Sequence, residues 1–214
     1  MIANEESSLK IAEFLLQIKA IKLQINDPFT WASGWRSPIY CDNRRTLSYA
    51  EARTFIKHQF VFAIKKAFQK PDIIVGVATG GIAQGALVAE EMELPFAYVR
   101  SAPKSHGLTN LIEGVVEKGQ KAVVVEDLVS TGGSSLKAVE ALRAAGCEVK
   151  GMAAIFTYGF SEADEKFKKA NCPLVALTNY EILLKQALKS KYISEKDIQS
   201  LKEWRMNPEK WGKK

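Results

Sequence analysis

The chain has 214 residues, of which 47% are hydrophobic and 25% are charged. This length and balance are typical of one substantial globular domain and exclude a disordered chain. The longest apolar stretches, such as residues 73–78 and 122–125, are far shorter than the ~20 residues that a membrane-spanning helix needs. We therefore expect a single domain and no membrane contact.

The net charge is +6 at pH 7, from 30 basic and 24 acidic residues. Such a surplus suits nucleic acid or a phosphorylated small molecule, and composition does not separate the two. The N-terminal stretch MIANEESSLK lacks the features of a secretory signal, and the widely spaced Cys41, Cys147 and Cys172 indicate neither a disulfide framework nor a zinc site. We expect a cytoplasmic protein.

The N-terminal third begins with a helix and then becomes irregular. The apolar spacing predicts a helix from about Ser7 to Leu23, with one of its first two serines as the N-cap. Residues 25–45 are rich in aromatics and turn formers, which predicts short strands and loops. The string SYAE at Ser48 is a capping box for a helix to about Gln69, and Pro71 prevents its continuation.

From there to the C-terminus, apolar runs alternate with helical patterns. A long irregular stretch at 101–119 interrupts them, and a second capping box, SEAD, starts at Ser161. The predicted strands are 73–77, 96–99, 122–125, 149–156 and 174–177, and helices are predicted to about Met92, over 134–145, from Ser161 and at the C-terminus. Continuous apolar strands that alternate with helices imply an α/β fold with a doubly wound, mostly parallel sheet flanked by helices.

The strongest functional string is VVVEDLVSTGGSS, residues 123–135. A buried strand ends there in adjacent carboxylates, Glu126 and Asp127, followed by a turn rich in hydroxyls and glycine before a helix. Ligands of parallel sheets bind beyond the carboxyl ends of strands, and helix N-termini attract anions. The donors of this predicted phosphate site are the backbone and hydroxyl groups of Ser130, Thr131, Gly132, Gly133 and Ser134.

This string lacks the lysine of a Walker loop, so a monophosphate fits it better than a nucleoside triphosphate. Glu126 and Asp127 would repel a phosphate unless they faced sugar hydroxyls or positive charge developing on a ribose ring. Carboxylates placed there would stabilise an oxocarbenium-like state. The alternative is an ordinary strand, turn and capped helix with two exposed acids.

Two further loops follow predicted strands. In GVATGGIAQG, residues 76–85, Thr79 and Gly80 offer the small side chains and backbone amides that close approach to an anion requires, although a tight turn without a ligand is the alternative. The spacing is not that of a dinucleotide-binding G-x-G-x-x-G motif.

The third loop, residues 98–114, is longer than a compact connection needs. It groups Arg100, Lys104 and His106, which favours diphosphate binding; for His106 alone, a surface role is the alternative. The other histidine, His58, lies in the middle of a predicted helix and is given no role.

These strings resemble those of the type I phosphoribosyltransferase family. The family's loop for phosphoribosyl diphosphate (PRPP) is a hydrophobic strand, two acids, a variable pair and a hydroxyl- and glycine-rich turn. The resemblance implies that Glu126 and Asp127 hold the ribose 2′- and 3′-hydroxyls and that the following loop holds the 5′-phosphate. The strings RSAPKSHG, from Arg100, and FTWASGWRSPIYCDNRR, residues 29–45, are similar to those of the orotate-specific branch.

The N-terminal string offers groups suited to a planar pyrimidine carboxylate. Its aromatics could stack on or wall the ring and its polar side chains could donate hydrogen bonds, although a structural aromatic cluster is the alternative. These residues are Phe29, Trp31 and Tyr40 for the aromatics and Thr30, Ser33, Arg36 and Arg44 for the donors. The resemblance implies one domain over residues 1–214, with about 7–45 forming a small N-terminal hood over the base.

The resemblance also implies a reaction, transfer of the phosphoribosyl group from PRPP to N1 of orotate in pyrimidine synthesis. It implies Mg²⁺ held mainly through PRPP, not by protein ligands, and a homodimer whose mobile loop covers the partner's site. The implied catalytic residues are Lys104, His106, Glu126 and Asp127; the PRPP-binding residues are Arg100, Lys104, His106, Thr79, Gly80, Glu126, Asp127, Leu128, Val129, Ser130, Thr131, Gly132, Gly133 and Ser134; the orotate-binding residues are Phe29, Thr30 and Ser130.

Two other functional interpretations of the same sequence motifs remain. A phosphoribosyltransferase for a purine would keep the PRPP loop, but it has no reason to carry the loop at Arg100 or the string at 29–45. A PRPP-sensing regulator that binds nucleic acid would suit the basic charge, but such regulators usually append a DNA-binding module. We expect no nucleic-acid partner.

Overall fold

The computed structural model describes residues 2, 4–31, 34–100 and 111–212. The α-helices within this part of the chain are α1 (Glu5–Gln17), α2 (Ala50–Phe68), α3 (Gly80–Met92), α4 (Gly133–Ala144), α5 (Ser161–Lys169), α6 (Tyr180–Lys189) and α7 (Glu195–Met206). The strands are β1 (Ile21–Leu23), β2 (Phe29–Thr30), β3 (Arg36–Ser37), β4 (Ile39–Cys41), β5 (Ile73–Val77), β6 (Phe96–Val99), β7 (Ile112–Glu113), β8 (Lys121–Val129), β9 (Glu148–Thr157) and β10 (Leu174–Asn179). None of these helices combines the length and apolarity needed to cross a bilayer.

The main sheet has the strand order β10-β9-β8-β5-β6-β7. Its neighbours pair in parallel, apart from the antiparallel pair of β6 and β7 at one edge. The chain builds outward from β5 to β6 and then returns to the other side of β5 with β8. The direction of winding therefore reverses between β5 and β8, which is where ligands of such sheets bind.

Helices cover both faces of this sheet, as a parallel sheet requires. Alternate residues of a strand point to opposite faces, so Ile74 and Val123 pack with α1, α2, α3 and α6, whereas Val75 and Val124 pack with α4 and α5. All four side chains are fully buried. The predicted α/β, doubly wound class is confirmed.

The N-terminal segment adds two small antiparallel pairs, β1 with β4 and β2 with β3, followed by a 3-10 helix, Asn43–Ser48. Helix α1 packs mainly against α6 and β10. The hydroxyl of Ser8, in α1, donates to the main-chain oxygen of Leu177. Helix α1 is therefore a flank of the main body.

Several predicted boundaries are wrong for physical reasons. Helix α1 starts earlier than predicted, because the Asn4 side chain accepts from the Ser7 amide, and it ends at Gln17, so that residues 21–23 form a strand. Neither predicted capping box forms, because Tyr49 and Phe160 occupy the two N-cap positions. The structure has a capping box at Ser194, where the Asp197 side chain accepts from the Ser194 amide.

Candidate active site

The carboxyl ends of β5 and β8 line one cavity of about 460 Å³. The cavity opens where two neighbouring strands stop pairing. The pairing of β8 with β5 ends at Val125, while β8 continues to Val129. Glu126 and Asp127 therefore belong to β8 but lie beyond its last pair with β5. The residues lining the cavity are Cys41, Asp42, Arg44, Val77, Ala78, Thr79, Gly80, Glu126, Asp127, Leu128, Ser130, Thr131, Gly132, Gly133 and Ser134.

Glu126 is a buried acid at the base of this cavity, with 5% of its surface exposed. One carboxylate oxygen, Oε2, accepts from the Ser135 hydroxyl at 2.8 Å, and the other, Oε1, accepts from the Asp127 amide at 3.0 Å. Burial, and then the neighbouring Asp127 carboxylate, raise the pKa of Glu126 to about 8. Positive charge arriving in the cavity would favour the ionised form of this pair.

Asp127 faces the loop that follows β5. Burial raises the pKa of its carboxyl, while a hydrogen bond with Glu126 and the charge of Arg44 act in the opposite direction. A Cβ atom on Gly80 would overlap the Asp127 carboxyl group, so glycine at position 80 lets this loop pack closely against the Asp127 side chain. The prediction that a bound anion also approaches Gly80 stays a prediction.

The loop after β8 turns directly into α4. Gly132 is the N-cap residue and has a φ of +78°, a left-handed conformation that suits glycine. A Cβ atom on Gly133 would meet nothing within 4 Å, so the first turn of α4 is open to the cavity side. Free amides and a helix N-terminus at this position can hold a phosphate group.

The N-terminal segment contributes a third wall, formed by Cys41, Asp42 and Arg44. The Arg44 guanidinium Nε lies 2.7 Å from Asp42 Oδ1, and this ion pair lowers the pKa of Asp42. Burial, and then the charges of Asp127 and Asp42, raise the pKa of the Cys41 thiol well above its usual value. Arg44 is one of the donors predicted from the sequence, whereas no role was predicted for Cys41 or Asp42. The tertiary fold places both residues beside the loop that follows β8.

Other predicted site residues lie elsewhere. Val129 is fully buried in the core, so its side chain does not face the cavity. Arg100 follows β6 and lies 3.6 Å from Glu113 of β7. Phe29 packs on Tyr40 with ring centroids 5.5 Å apart, and neither Phe29 nor Thr30 lines the cavity.

Three residues used in the sequence predictions, Lys104, His106 and Ser33, lie outside the described residues. The predictions for Lys104 and His106 stay predictions.

The cavity supplies some of the oxygen ligands that a hard cation needs, but not a full set. Within the described ranges, no cluster of three or more His, Cys, Asp or Glu side chains could hold a metal ion. Glu126 and Asp127 nevertheless line a polar cavity together, and carboxylate oxygens are ligands that Mg²⁺ accepts. These residues fit a magnesium ion whose remaining ligands are oxygens of a bound substrate or water.

A family model described as "Phosphoribosyl transferase domain" matches residues 52–185, which include β5, β8, α4 and the loops between them. This match defines the class of protein. An orotate phosphoribosyltransferase of Bacteroides fragilis is 62% identical over 200 residues, covering 94% of each chain. A relative with the same name from Cytophaga hutchinsonii is 53% identical over 204 residues, covering 95% of this chain and 98% of the relative.

A solved structure agrees with these relatives. The crystal structure of orotate phosphoribosyltransferase from Aeropyrum pernix superposes with a TM-score of 0.75 at 28% identity, covering 86% of this chain and 99% of that one. The chain belongs to the orotate phosphoribosyltransferase family.

Proposed function

We propose that this chain transfers the 5-phosphoribosyl group from PRPP to N1 of orotate, giving orotidine 5′-phosphate and diphosphate in pyrimidine synthesis. One observation carries the proposal: Glu126 and Asp127 share a cavity with a hydroxyl- and glycine-rich loop at a helix N-terminus. That pairing suits a sugar phosphate, with the acids on the sugar and the amides on the phosphate. The names of the relatives in this family support orotate as the acceptor.

In this proposal the first turn of α4 binds the 5′-phosphate. The backbone amides of Gly132 and Gly133 and the hydroxyls of Ser130, Thr131 and Ser134 supply donors, and the positive end of the helix dipole adds to them. Thr79 and Gly80, from the loop after β5, line the same cavity and would bind the diphosphate. The 5′-phosphate and the diphosphate then anchor the ribose between two rigid strands.

The carboxylates act on the reacting carbon through charge. As the bond between ribose C1 and the diphosphate oxygen breaks and the bond from N1 of orotate to C1 forms, positive charge develops on the ribose. Asp127 and Glu126 bind the 2′- and 3′-hydroxyls and stabilise that charge within a partly buried site, where electrostatic effects are stronger than in water. The nucleophile is a nitrogen of the substrate, so no protein nucleophile is required.

The leaving diphosphate carries negative charge, which the proposal assigns to basic side chains. Arg100, Lys104 and His106 belong to one loop of the sequence, and we propose that this loop closes over PRPP and excludes water. Mg²⁺, held mainly by PRPP oxygens with Glu126 and Asp127 nearby, supplies further charge neutralisation when bound.

The direct test follows the loss of orotate absorbance after PRPP and Mg²⁺ are added, with uracil and adenine as parallel acceptors. The proposal expects consumption of orotate alone. The Asp127→Asn variant is expected to lose at least about 100-fold in kcat, as for other groups that stabilise charge in a transition state. Glu165→Gln, on the exposed face of α5, is the matched control. Use of adenine or uracil would contradict the acceptor, and PRPP binding without turnover would favour a regulatory role.

We also propose that two copies of the chain pair, with the loop at Lys104 reaching the partner's cavity. Mixing inactive Lys104→Ala and Asp127→Asn chains tests this arrangement. If the loop acts on the neighbouring subunit, each mixed dimer contains one complete site, and random pairing restores about a quarter of the unsubstituted activity. If it acts within its own subunit, mixing restores none.

A cytoplasmic location belongs to the same proposal. Cys41, Cys147 and Cys172 are all free, two of them buried, which suits a reducing compartment. Fractionation of the producing cells, followed by the orotate assay on each fraction, tests it.

A further inference from the structure

One buried side chain links the N-terminal segment to the strand that carries the carboxylates. Asn43 is the first residue of the 3-10 helix and is only 1% exposed. Its Nδ2 donates to the main-chain oxygen of Asp127 at 2.6 Å, a contact between residues 84 positions apart. The hydrogen bond is therefore made to the main chain of the same residue whose carboxylate lines the cavity.

On one side of β8 the pairing with β9 continues to Val129, whereas on the other side the pairing with β5 has already ended before Asp127. The last residue of β8 in register with β5 is Val125, which pairs with Gly76, so Asp127 lies two positions beyond the end of that ladder. A part-buried carbonyl without a donor is costly. Asn43 supplies a donor from outside the sheet.

Asn43 is itself held on several sides. The Cys41 thiol donates to its Oδ1 at 3.3 Å, and the Thr46 hydroxyl donates to its main-chain oxygen at 2.6 Å. The Gln84 side chain, from α3, donates through Nε2 to the Thr46 hydroxyl at 3.1 Å. Helix α3 begins at Gly80, the glycine that lies against the Asp127 carboxyl group. The chain of bonds therefore connects the loop after β5 and the end of β8.

We propose that Asn43 is a positioning residue for the transfer reaction, because it fixes the main chain of Asp127 and so the direction of its carboxylate towards the ribose. The proposal rests on the function proposed above for Asp127. A bond of this kind gives the catalytic carboxylate a fixed position without touching the substrate, and small displacements of reacting groups have large effects on rate. It also gives the N-terminal segment a role on the ribose side of the cavity.

The test compares Asn43→Ala with Asn179→Ala in the full-length chain with PRPP, orotate and Mg²⁺. Asn179 also makes one side-chain hydrogen bond, since it accepts from the Ile182 amide at 2.9 Å as the N-cap of α6. Asn43→Ala is expected to lower kcat by about tenfold or more, with KM for orotate changed less than twofold. Asn179→Ala is expected to lower the melting temperature but leave kcat unchanged.

A second variant, Asn43→Asp, keeps the shape of the side chain and gives a readout that packing alone does not. Only the protonated carboxyl can donate to the Asp127 oxygen, so the ratio of its kcat to that of the unsubstituted chain should rise as the pH falls from 8 towards 5.5. The ratio for Asn43→Ala should stay flat. The titratable and charged groups around this position are Cys41, Asp42, Arg44, Glu126, Asp127 and Tyr158.

The outcomes separate this proposal from the proposed function. A kcat for Asn43→Ala within twofold of the unsubstituted value overturns the positioning role, as does a ratio for Asn43→Asp that stays flat at the level of Asn43→Ala. If the unsubstituted chain consumes no orotate, the proposed function fails instead. The positioning role is then decided by PRPP affinity with Mg²⁺, which Asn43→Ala should weaken severalfold, whereas an unchanged affinity overturns it.

Discussion

The ribose-phosphate side and the N-terminal side of the cavity are built in different ways. The first consists largely of one stretch, residues 126–134, with the short loop after β5 against it. Among the described residues of the N-terminal segment, only Cys41, Asp42 and Arg44 line the cavity, whereas the candidates Phe29, Thr30, Trp31, Arg36 and Tyr40 do not. Residues adjacent in sequence at the end of a strand stay together in any α/β fold, whereas an irregular segment depends on what it packs against.

The aromatic residues of the N-terminal segment illustrate this dependence. Trp31 packs against Tyr158 and Trp204, with ring centroids 5.3 and 5.6 Å apart, and its indole nitrogen donates to the main-chain oxygen of Ile39. Trp204 is fully buried and belongs to α7, at the far end of the chain. Trp31 therefore belongs to a structural aromatic cluster.

The largest expected effect tests whether a third segment completes the ribose-phosphate side. Replacing Lys104 with alanine should lower kcat by about 100-fold or more, because a positive charge that stabilises the leaving diphosphate is removed. The fold should be intact, as judged by the melting temperature. Lys70→Ala, at an exposed position before β5, is the control, and an unchanged kcat for Lys104→Ala would exclude that role.

Gly80→Ala tests the contact between the two loops of the ribose-phosphate side. The new methyl group would overlap the Asp127 carboxyl, so either the Asp127 side chain or the loop after β5 must shift. We expect kcat/KM for PRPP to fall by about 100-fold. Gly133→Ala has open space around the new methyl group and serves as the stability control, because its melting temperature should match that of the unsubstituted chain. Full activity of Gly80→Ala would contradict the geometry.

The buried carboxylates predict a pH dependence of stability. Burial raises the pKa of Glu126 from 4.5 to about 8, so the folded state holds this proton more tightly than the unfolded state does. The contribution of this proton to the free energy of unfolding is fully present below about pH 4.5 and is lost as the pH rises through 8. Its size is on the order of a few kcal/mol.

Urea unfolding at pH 5.5 and 8.5 measures this dependence. Glu126→Gln should lose less stability than the unsubstituted chain between the two pH values, while Asp127, whose pKa burial also raises, retains its own contribution. Glu165→Gln, at an exposed position, should behave like the unsubstituted chain. Equal slopes for Glu126→Gln and the unsubstituted chain would show that Glu126 is ionised throughout.

The smallest expected effect concerns the N-terminal side. Arg44 lines the cavity, whereas Arg36 lies in β3, near Gly212. If Arg44 is the donor to the orotate carboxylate, Arg44→Ala should raise KM for orotate by about tenfold, and Arg36→Ala should leave it within twofold. Initial rates at varied orotate concentration distinguish the two. The reverse order would move the base site towards β3.

Much of the fold follows from the sequence alone. The strands at 73–77 and 96–99 have the predicted boundaries. Residues 73–77 are buried at every position, as in a central parallel strand, whereas residues 96–99 alternate between partly buried and buried positions. The edge strand β7 was not predicted, since two residues carry no periodic signal. The capping boxes at Ser48 and Ser161 failed because a cap motif reports local hydrogen-bonding capacity, while packing decides where the helix starts.

In the candidate site, too, some residues could be predicted from the sequence and others could not. The sequence by itself determined the stretch 126–134, because its carboxylates, glycines and hydroxyls are neighbours along the chain and a strand followed by a helix orients them. Only the tertiary structure placed Arg44 in the cavity and joined Asn43 to Asp127, 84 residues away. A hydrogen bond between distant residues depends on the register of β8 with β5 and on the 3-10 helix beside it, and neither has a local signature in the sequence.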